Sequence, residues 1–308
     1  MPKRRVFVHA AAAVGPHGDV TPAERRALTA DAKPSDLRER VKALTGQHLR
    51  QASHFVELAV VGAKTCLNRL AHPADPGTAI YLGSGLAEQR KTQALFKQVA
   101  GGGLASPFDF INAANNMAAF YVAKLAGLSA RNYTVMTDEV SFETALATAF
   151  SDVAHGAVPA ALVGGMDECL DTRAEQLRRL DLNPTQHIGE GGGWLYLSPA
   201  EDGALAELLV VEEVADASAW VNELRQGAEA VTWLHGFHTA QPHPAHPEQR
   251  AQDRVYDYLK FCGCFHTAAA FGVASLFDDP ANQGLYLHSQ TGRHGDWHIG
   301  LRLSATTR

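Results

Sequence analysis

Long apolar runs are missing from this 308-residue chain. No window approaches the roughly 18 uninterrupted apolar residues that cross a bilayer, which excludes a membrane-spanning helix. Basic runs are scarce as well. The longest is Lys3-Arg4-Arg5, and 27 Lys+Arg against 33 Asp+Glu leave a net charge of −6. That balance excludes the phosphate-gripping surface of a nucleic-acid binder. Cysteine is thin: Cys66, Cys169, Cys262 and Cys264 cannot form a disulfide framework in a chain of this size. Cys262-Gly-Cys264 has no second pair at metal-ligand spacing, so ordinary packing is expected of both. A secretory signal is not expected, because Val6–Val14 is alanine-rich and runs into Gly15-Pro16-His17-Gly18. These absences point to the cytoplasm. Glycine (27) and proline (14) show no period, which removes collagen-like and low-complexity classes.

What is present is a globular composition. With 46% hydrophobic and 19% charged residues the chain can bury a sizeable core, as one large domain or two intimately packed halves. Strands and helices alternate, so the class is α/β. Strands are expected at 5–14, 79–82, 132–137, 160–163, 194–197, 208–211, 231–234, 284–288 and 297–303. Helices are expected at 49–70, 113–125, 141–155, 249–259 and 267–277. The first of these places Ala52, Phe55, Val56, Ala59, Ala63, Cys66, Leu67 and Leu70 on one face.

The segment from Tyr133 to Leu146 carries the most chemistry. A strand turning sharply into a helix sets its turn residue at a helix N-terminus, where backbone N–H groups and the dipole favour a nucleophile, an oxyanion or a carboxylate. Fifteen histidines include His235, His238, His243 and His246 in one stretch. Pro242, Pro244 and Pro247 interrupt it, so a solvated loop is expected there and not a tetrahedral metal site. Gly189–Gly193 enters a strand and lacks the Lys-Ser/Thr of a phosphate loop. No Gly-x-Gly-x-x-Gly links a first strand to a helix, which argues against dinucleotide binding.

Six segments, in order, resemble the β-ketoacyl synthases of the thiolase superfamily. Ser106-Pro107-Phe108 with Asn116-Met117 resembles the stretch before the nucleophile, and Gly127-Leu128-Ser129 with Thr134-Val135 resembles a Gly-Leu-x-Gly-Pro run. His155-Gly156 and Leu162–Glu168 resemble an Ala-Leu-Val-Gly-Gly-x-Asp-Glu strand. Gly189–Leu195 is similar to Gly-Glu-Gly-Ala-Gly, and His235–Thr239 to His-Gly-Thr-Gly-Thr. Phe265-His266-Thr267 with Ala269–Ala274 resembles Gly-His-Thr-x-x-Ala-Ala-Gly.

The departures shape the expectation. The family's nucleophilic cysteine falls at Glu139; a carboxylate there would form a labile anhydride with an acyl thioester and is a poor substitute for thiolate. Ser141 stands two residues further on, as a weak alternative. Inactive chain-length factors, which often carry glutamine at the elbow, resemble this pattern most. The family's histidines match His235 and His266, which leaves them as vestigial or residual groups. Lys260 is one residue off the family lysine, Phe261 stands in its place, and Phe265 and His238 replace glycines. The C-terminal Gly-Phe-Gly-Gly-type loop is not recognisable at Thr291–Gly295.

The resemblance implies a five-layer αβαβα sandwich of two pseudo-duplicated halves, residues 1–200 and an abbreviated 201–308, with the elbow at Glu139. It implies a nucleophile-lacking subunit that pairs, through the strand following the elbow unit, with a catalytic ketosynthase and acts on acyl carrier protein-bound chains in type II polyketide, polyene or fatty-acyl synthesis. Phe108, Asp109 and Phe110 would line the partner's acyl tunnel. Independent condensing activity is not expected, and neither a cofactor nor a metal is implied. The alternative is a malonyl-carrier-protein decarboxylase or altered acyltransferase using His235 and His266.

Overall fold

The computed structural model describes residues 3–17, 25–169, 172–213, 217–225, 227, 229–236, 249–292 and 295–304. Its strands are β1 (Val6–Val14), β2 (Ala79–Gly83), β3 (Asn132–Val135), β4 (Ala161–Asp167), β5 (Gly191–Ser198), β6 (Ala206–Glu213), β7 (Val231–His235), β8 (Arg254–Val255), β9 (Gly284–Gly292) and β10 (Gly295–Leu303). Its helices are α1 (Leu37–Thr45), α2 (His54–Asn68), α3 (Gln89–Ala100), α4 (Pro107–Asn112), α5 (Met117–Ala126), α6 (Ser141–Ala154), α7 (Arg173–Arg179), α8 (Ala217–Leu224), α9 (Leu259–Cys262) and α10 (Ala268–Ser275). None is long and apolar enough to cross a membrane.

The strands form one sheet in the order β3-β2-β4-β5-β1-β6-β10-β9-β7-β8. Adding five to each number of 3-2-4-5-1 gives 8-7-9-10-6, the same order read from the far edge, so the two half-sheets are topological copies that meet where β1 pairs with β6. In each copy three strands run parallel at the edge and two antiparallel strands lie towards the junction.

Three apolar clusters explain the layering. The central one joins α6 and α10 to the inner faces of both half-sheets through Val8, Tyr81, Val163, Leu195, Leu234, Tyr286 and Ile299. Outside the first half-sheet, α1, α2 and α5 pack on Ala10, Ile80, Leu82, Leu162 and Trp194. Outside the second, Trp220 and Val221 of α8 cover Trp233, Leu285 and Leu287. The result is the expected αβαβα sandwich, with a much thinner outer layer on the second half among the described residues.

Alanine and glycine let the layers approach. A Cβ on Gly193 of β5 would lie 2.1 Å from the carbonyl oxygen of Ala270 in α10, so only glycine admits that helix.

Local interactions moved several boundaries from expectation. The helix read as starting at Leu49 begins at His54, because the Ser53 hydroxyl caps it by accepting from the Val56 N–H at 3.0 Å. The helix expected over 249–259 does not form. Asp253 instead accepts from the Val231 N–H, the Trp233 indole and the buried Arg225, at 2.9, 3.0 and 2.7 Å, which draws the following residues alongside β7 as β8. The strands following the elbow, β4 and β5, are each paired on both sides and cannot be pairing edges; among the described residues the sheet's edges are β3, the strand before the elbow, and β8.

Gly193→Ala is expected to destabilise the protein by roughly 3 kcal/mol, since a backbone carbonyl must move to admit the methyl group. Urea denaturation checks this, and an unchanged midpoint would contradict the packing account.

Candidate active site

The elbow follows β3 directly. Asp138 takes a left-handed conformation (φ 51°), and a single 3₁₀ turn, Asp138–Val140, leads straight into α6. The Ser141 hydroxyl closes the turn by donating to the Asp138 carbonyl at 2.7 Å and accepting from the Thr137 N–H at 2.9 Å. It is fully buried in that role, so Ser141 clasps the turn. The turn rests on β2: a Cβ on Gly83 would lie 2.3 Å from the Ser141 carbonyl oxygen. Glu139 is 5% exposed in the first turn, where the helix dipole favours its carboxylate.

Asp167, at the end of β4, organises the surroundings. Its fully buried carboxylate accepts from the Ser84 hydroxyl at 2.7 Å, and from the Gly85 and Leu86 N–H groups at 3.2 and 3.0 Å. It also accepts from the Thr267 N–H at 3.1 Å and the Thr267 hydroxyl at 2.8 Å. The turn after β2 is thereby fixed to the head of α10. His266 follows from this: its ring lies against Gly85, where an added Cβ would come within 2.3 Å of Cγ.

The two histidines are held by different layers. His266 belongs to the head of the central helix. His235, the last residue of β7, stacks on Trp233 with ring centroids 6.2 Å apart and planes 6° from parallel, so it shares the outer face that α8 covers. His235 also borders a cavity of about 460 Å³ with His187, Tyr256, Leu259 and Lys260. Lys260 lies over the Phe261 ring, 4.9 Å from its centroid, and Phe265 is a fully buried part of the central core. Of the proline-interrupted histidines, His238, His243 and His246 lie outside the described residues.

Three of the four thiols are held protonated by burial. Burial pushes Cys66 and Cys264 up to about 12 and Cys262 well above its ordinary value. Cys169 is half-buried beyond β4, and its N–H donates to Glu190 at 3.1 Å.

Phe108, Asp109 and Phe110 separate in space. Phe108 and Phe110 are 61% and 67% exposed on α4. Asp109 turns back into its own chain, accepting from Gln98 at 2.9 Å and Lys91 at 3.4 Å, and these two hydrogen bonds lower its carboxyl from the ordinary range.

Two buried polar groupings escaped the sequence reading. Glu143 accepts from or pairs with His288 at 2.9 Å, both fully buried, one helical turn beyond Glu139. Glu88, Glu168 and Glu190 gather beside the N-terminus of α2. His54 pairs with Glu190 at 2.5 Å, and Arg90 with Glu168 at 3.3 Å. Although burial alone would raise Glu190, its hydrogen bond to His54 holds it low, while the same bond raises His54. Glu88 differs. Burial pushes it up to about 7 against the pull of Ser53, which donates at 2.6 Å, and the Glu168 charge adds to the rise.

A carboxyl raised on folding stabilises while it is neutral. That contribution is present below the ordinary carboxylate range and is lost as pH rises through about 7. The protein should therefore lose on the order of 2 kcal/mol between pH 5.5 and 8 from Glu88, and Glu88→Gln should remove most of that loss. Urea titrations at the two pH values test this; identical profiles for the two proteins would refute it.

Comparisons place this geometry. No curated protein matches the sequence closely. Among solved structures, the ishigamide ketosynthase/chain length factor is similar at TM-score 0.77 and 20% identity, over 97% of this chain and 99% of that one. The AntDE:AntF assembly, a type II polyketide synthase acyl-carrier protein in complex with its ketosynthase bound to the hexaketide, is similar at 0.74 and 16%, over 98% and 100%. A β-ketoacyl synthase from Burkholderia phymatum STM815 gives 0.70 and 14%, over 98% and 100%. These establish a thiolase-type ketosynthase fold across the whole chain. The family model for the β-ketoacyl synthase N-terminal domain matches residues 18–179, just over half the sequence, and the chain belongs to the β-ketoacyl synthase family.

Proposed function

We propose that this chain is a chain-length-factor-like subunit, without independent condensing activity, that pairs with a catalytic ketosynthase and shapes its acyl tunnel. The pathway class is type II polyketide, polyene or fatty-acyl synthesis on acyl carrier protein, in the cytoplasm. The observation that carries the reading is Glu139, a buried carboxylate at a well-built elbow, with no activated thiol near it. A carboxylate at that turn keeps the dipole satisfied and withholds the thioester chemistry.

The surface supports a partner. Phe108, Phe110 and Ile111 on α4, Phe120 on α5, and Tyr133 and Met136 at the β3 edge are all at least 42% exposed. Exposed large apolar side chains beside an unpaired strand edge mark an interaction surface. In this reading β3 pairs with the partner, and Phe108 and Phe110 enter its tunnel. Asp109 sets the orientation of α4 through Lys91 and Gln98. Residues 1–200 and 201–308 form the two halves, joined between β5 and β6. His235 and His266 serve as inherited scaffold, because each is anchored in its own layer.

In the reconstituted complex, Phe110→Ala should lengthen the product chain and Phe110→Trp should shorten it, with Phe108 variants moving it in the same direction. Mass spectrometry of the released products reads the result. An unchanged distribution with both residues substituted would sink the tunnel assignment.

A further inference from the structure

At the pole opposite the elbow lies a cavity of about 660 Å³, between the end of α2, the start of β4 and the segment after β5. Its floor is built by an irregularity in β1. Val8 faces the central layer and Ala10 the outer one, and the register to β5 shifts between them, so His9 is an extra residue turned out of the ladder. Bulges re-aim side chains in this way, and nothing in the packing of β1 requires an imidazole in the strand Val6–Val14.

His9 Nε2 lies 2.9 Å from the Ser198 hydroxyl and 3.0 Å from the Ala200 carbonyl. A carbonyl only accepts, so Nε2 carries the proton and Nδ1 is left as an acceptor. Burial lowers the basicity of His9, which keeps the ring neutral.

The charges around the cavity point the same way. Arg69 is committed elsewhere, to the Ala11 carbonyl at 2.7 Å and to Asp278 at 2.9 Å. Asp75 and Asp202 remain at the rim, with His72 beside them, and one Asp75 oxygen accepts from the Gly77 N–H at 2.6 Å. Leu70, Pro73, Pro159, Tyr196 and Leu205 supply apolar walls. An apolar-walled cavity whose open polar groups accept, and whose uncommitted charges are negative, suits a donor with a positive charge.

We propose that this cavity is a second ligand site, separate from the elbow, for a small organic ammonium: an apolar or aromatic body carrying a primary amine. The amine donates to His9 Nδ1 and is drawn by Asp75 and Asp202, while the body lies against Tyr196 and the prolines.

The test is calorimetric titration of the full chain, alone or in its native complex, with 2-phenylethylammonium at pH 8, where free imidazole is neutral. Saturable binding is expected, at least tenfold weaker in Asp75→Asn/Asp202→Asn and in His9→Phe. The asparagine pair leaves the sheet untouched and keeps the test valid should His9→Phe fail to fold. Absence of binding, equal binding of 3-phenylpropionate or 2-phenylethanol, or unchanged affinity in the asparagine pair would overturn the proposal. None of these outcomes depends on Glu139 or on a ketosynthase partner.

Discussion

One buried carboxylate holds the site together. Asp167 closes the strand at the middle of the first half-sheet, yet its hydrogen bonds reach the turn after β2 and the first residue before α10, which belongs to the second half. Five donors on one carboxyl group, shielded from water, make a joint that neither half could form alone. Because α6 and α10 share the central layer, fixing the head of α10 also fixes the space in front of the elbow. The positions of His266, Gly85 and the elbow turn all descend from that contact.

The elbow itself is intact as architecture. The left-handed Asp138, the Ser141 clasp and the missing side chain at Gly83 reproduce a strand-to-helix turn that presents residue 139 at a helix N-terminus. The group presented there is a glutamate, which fits the electrostatics of a helix N-terminus; in the proposed reading the turn is retained for its fold while the partner supplies the sulfur nucleophile. The exposed aromatic side chains of α4 and the open β3 edge lie on the same half of the molecule as the elbow, which is where a partner would have to dock to share a tunnel.

Much of this was legible in the sequence, for physical reasons that differ by element. β1, α2 and α6 announce themselves through apolar period, and the ordered glycine motifs mark places where backbones touch. α3 was not legible: no residue of it is fully buried, so its pattern carries little core signal. The segment near Asp253 misled for the opposite reason. Its local preference is helical, but a carboxylate that satisfies Arg225, Trp233 and the Val231 N–H belongs to a tertiary network that no local window contains. Asp167 and the Glu143–His288 pair were invisible in the same sense, because their partners are 100 and 145 residues away. The direction of Asp109 was not legible either: neither α4, which carries it, nor the helix that supplies its ties to Lys91 and Gln98 was expected from the sequence.

The central claim is that this chain works as one half of a ketosynthase pair. Native mass spectrometry of the tagged protein isolated from its source cells measures that directly. The account predicts a 1:1 complex with a second thiolase-fold chain that carries a cysteine at its elbow. A stable homodimer, with no cysteine-bearing ketosynthase attached, would contradict it.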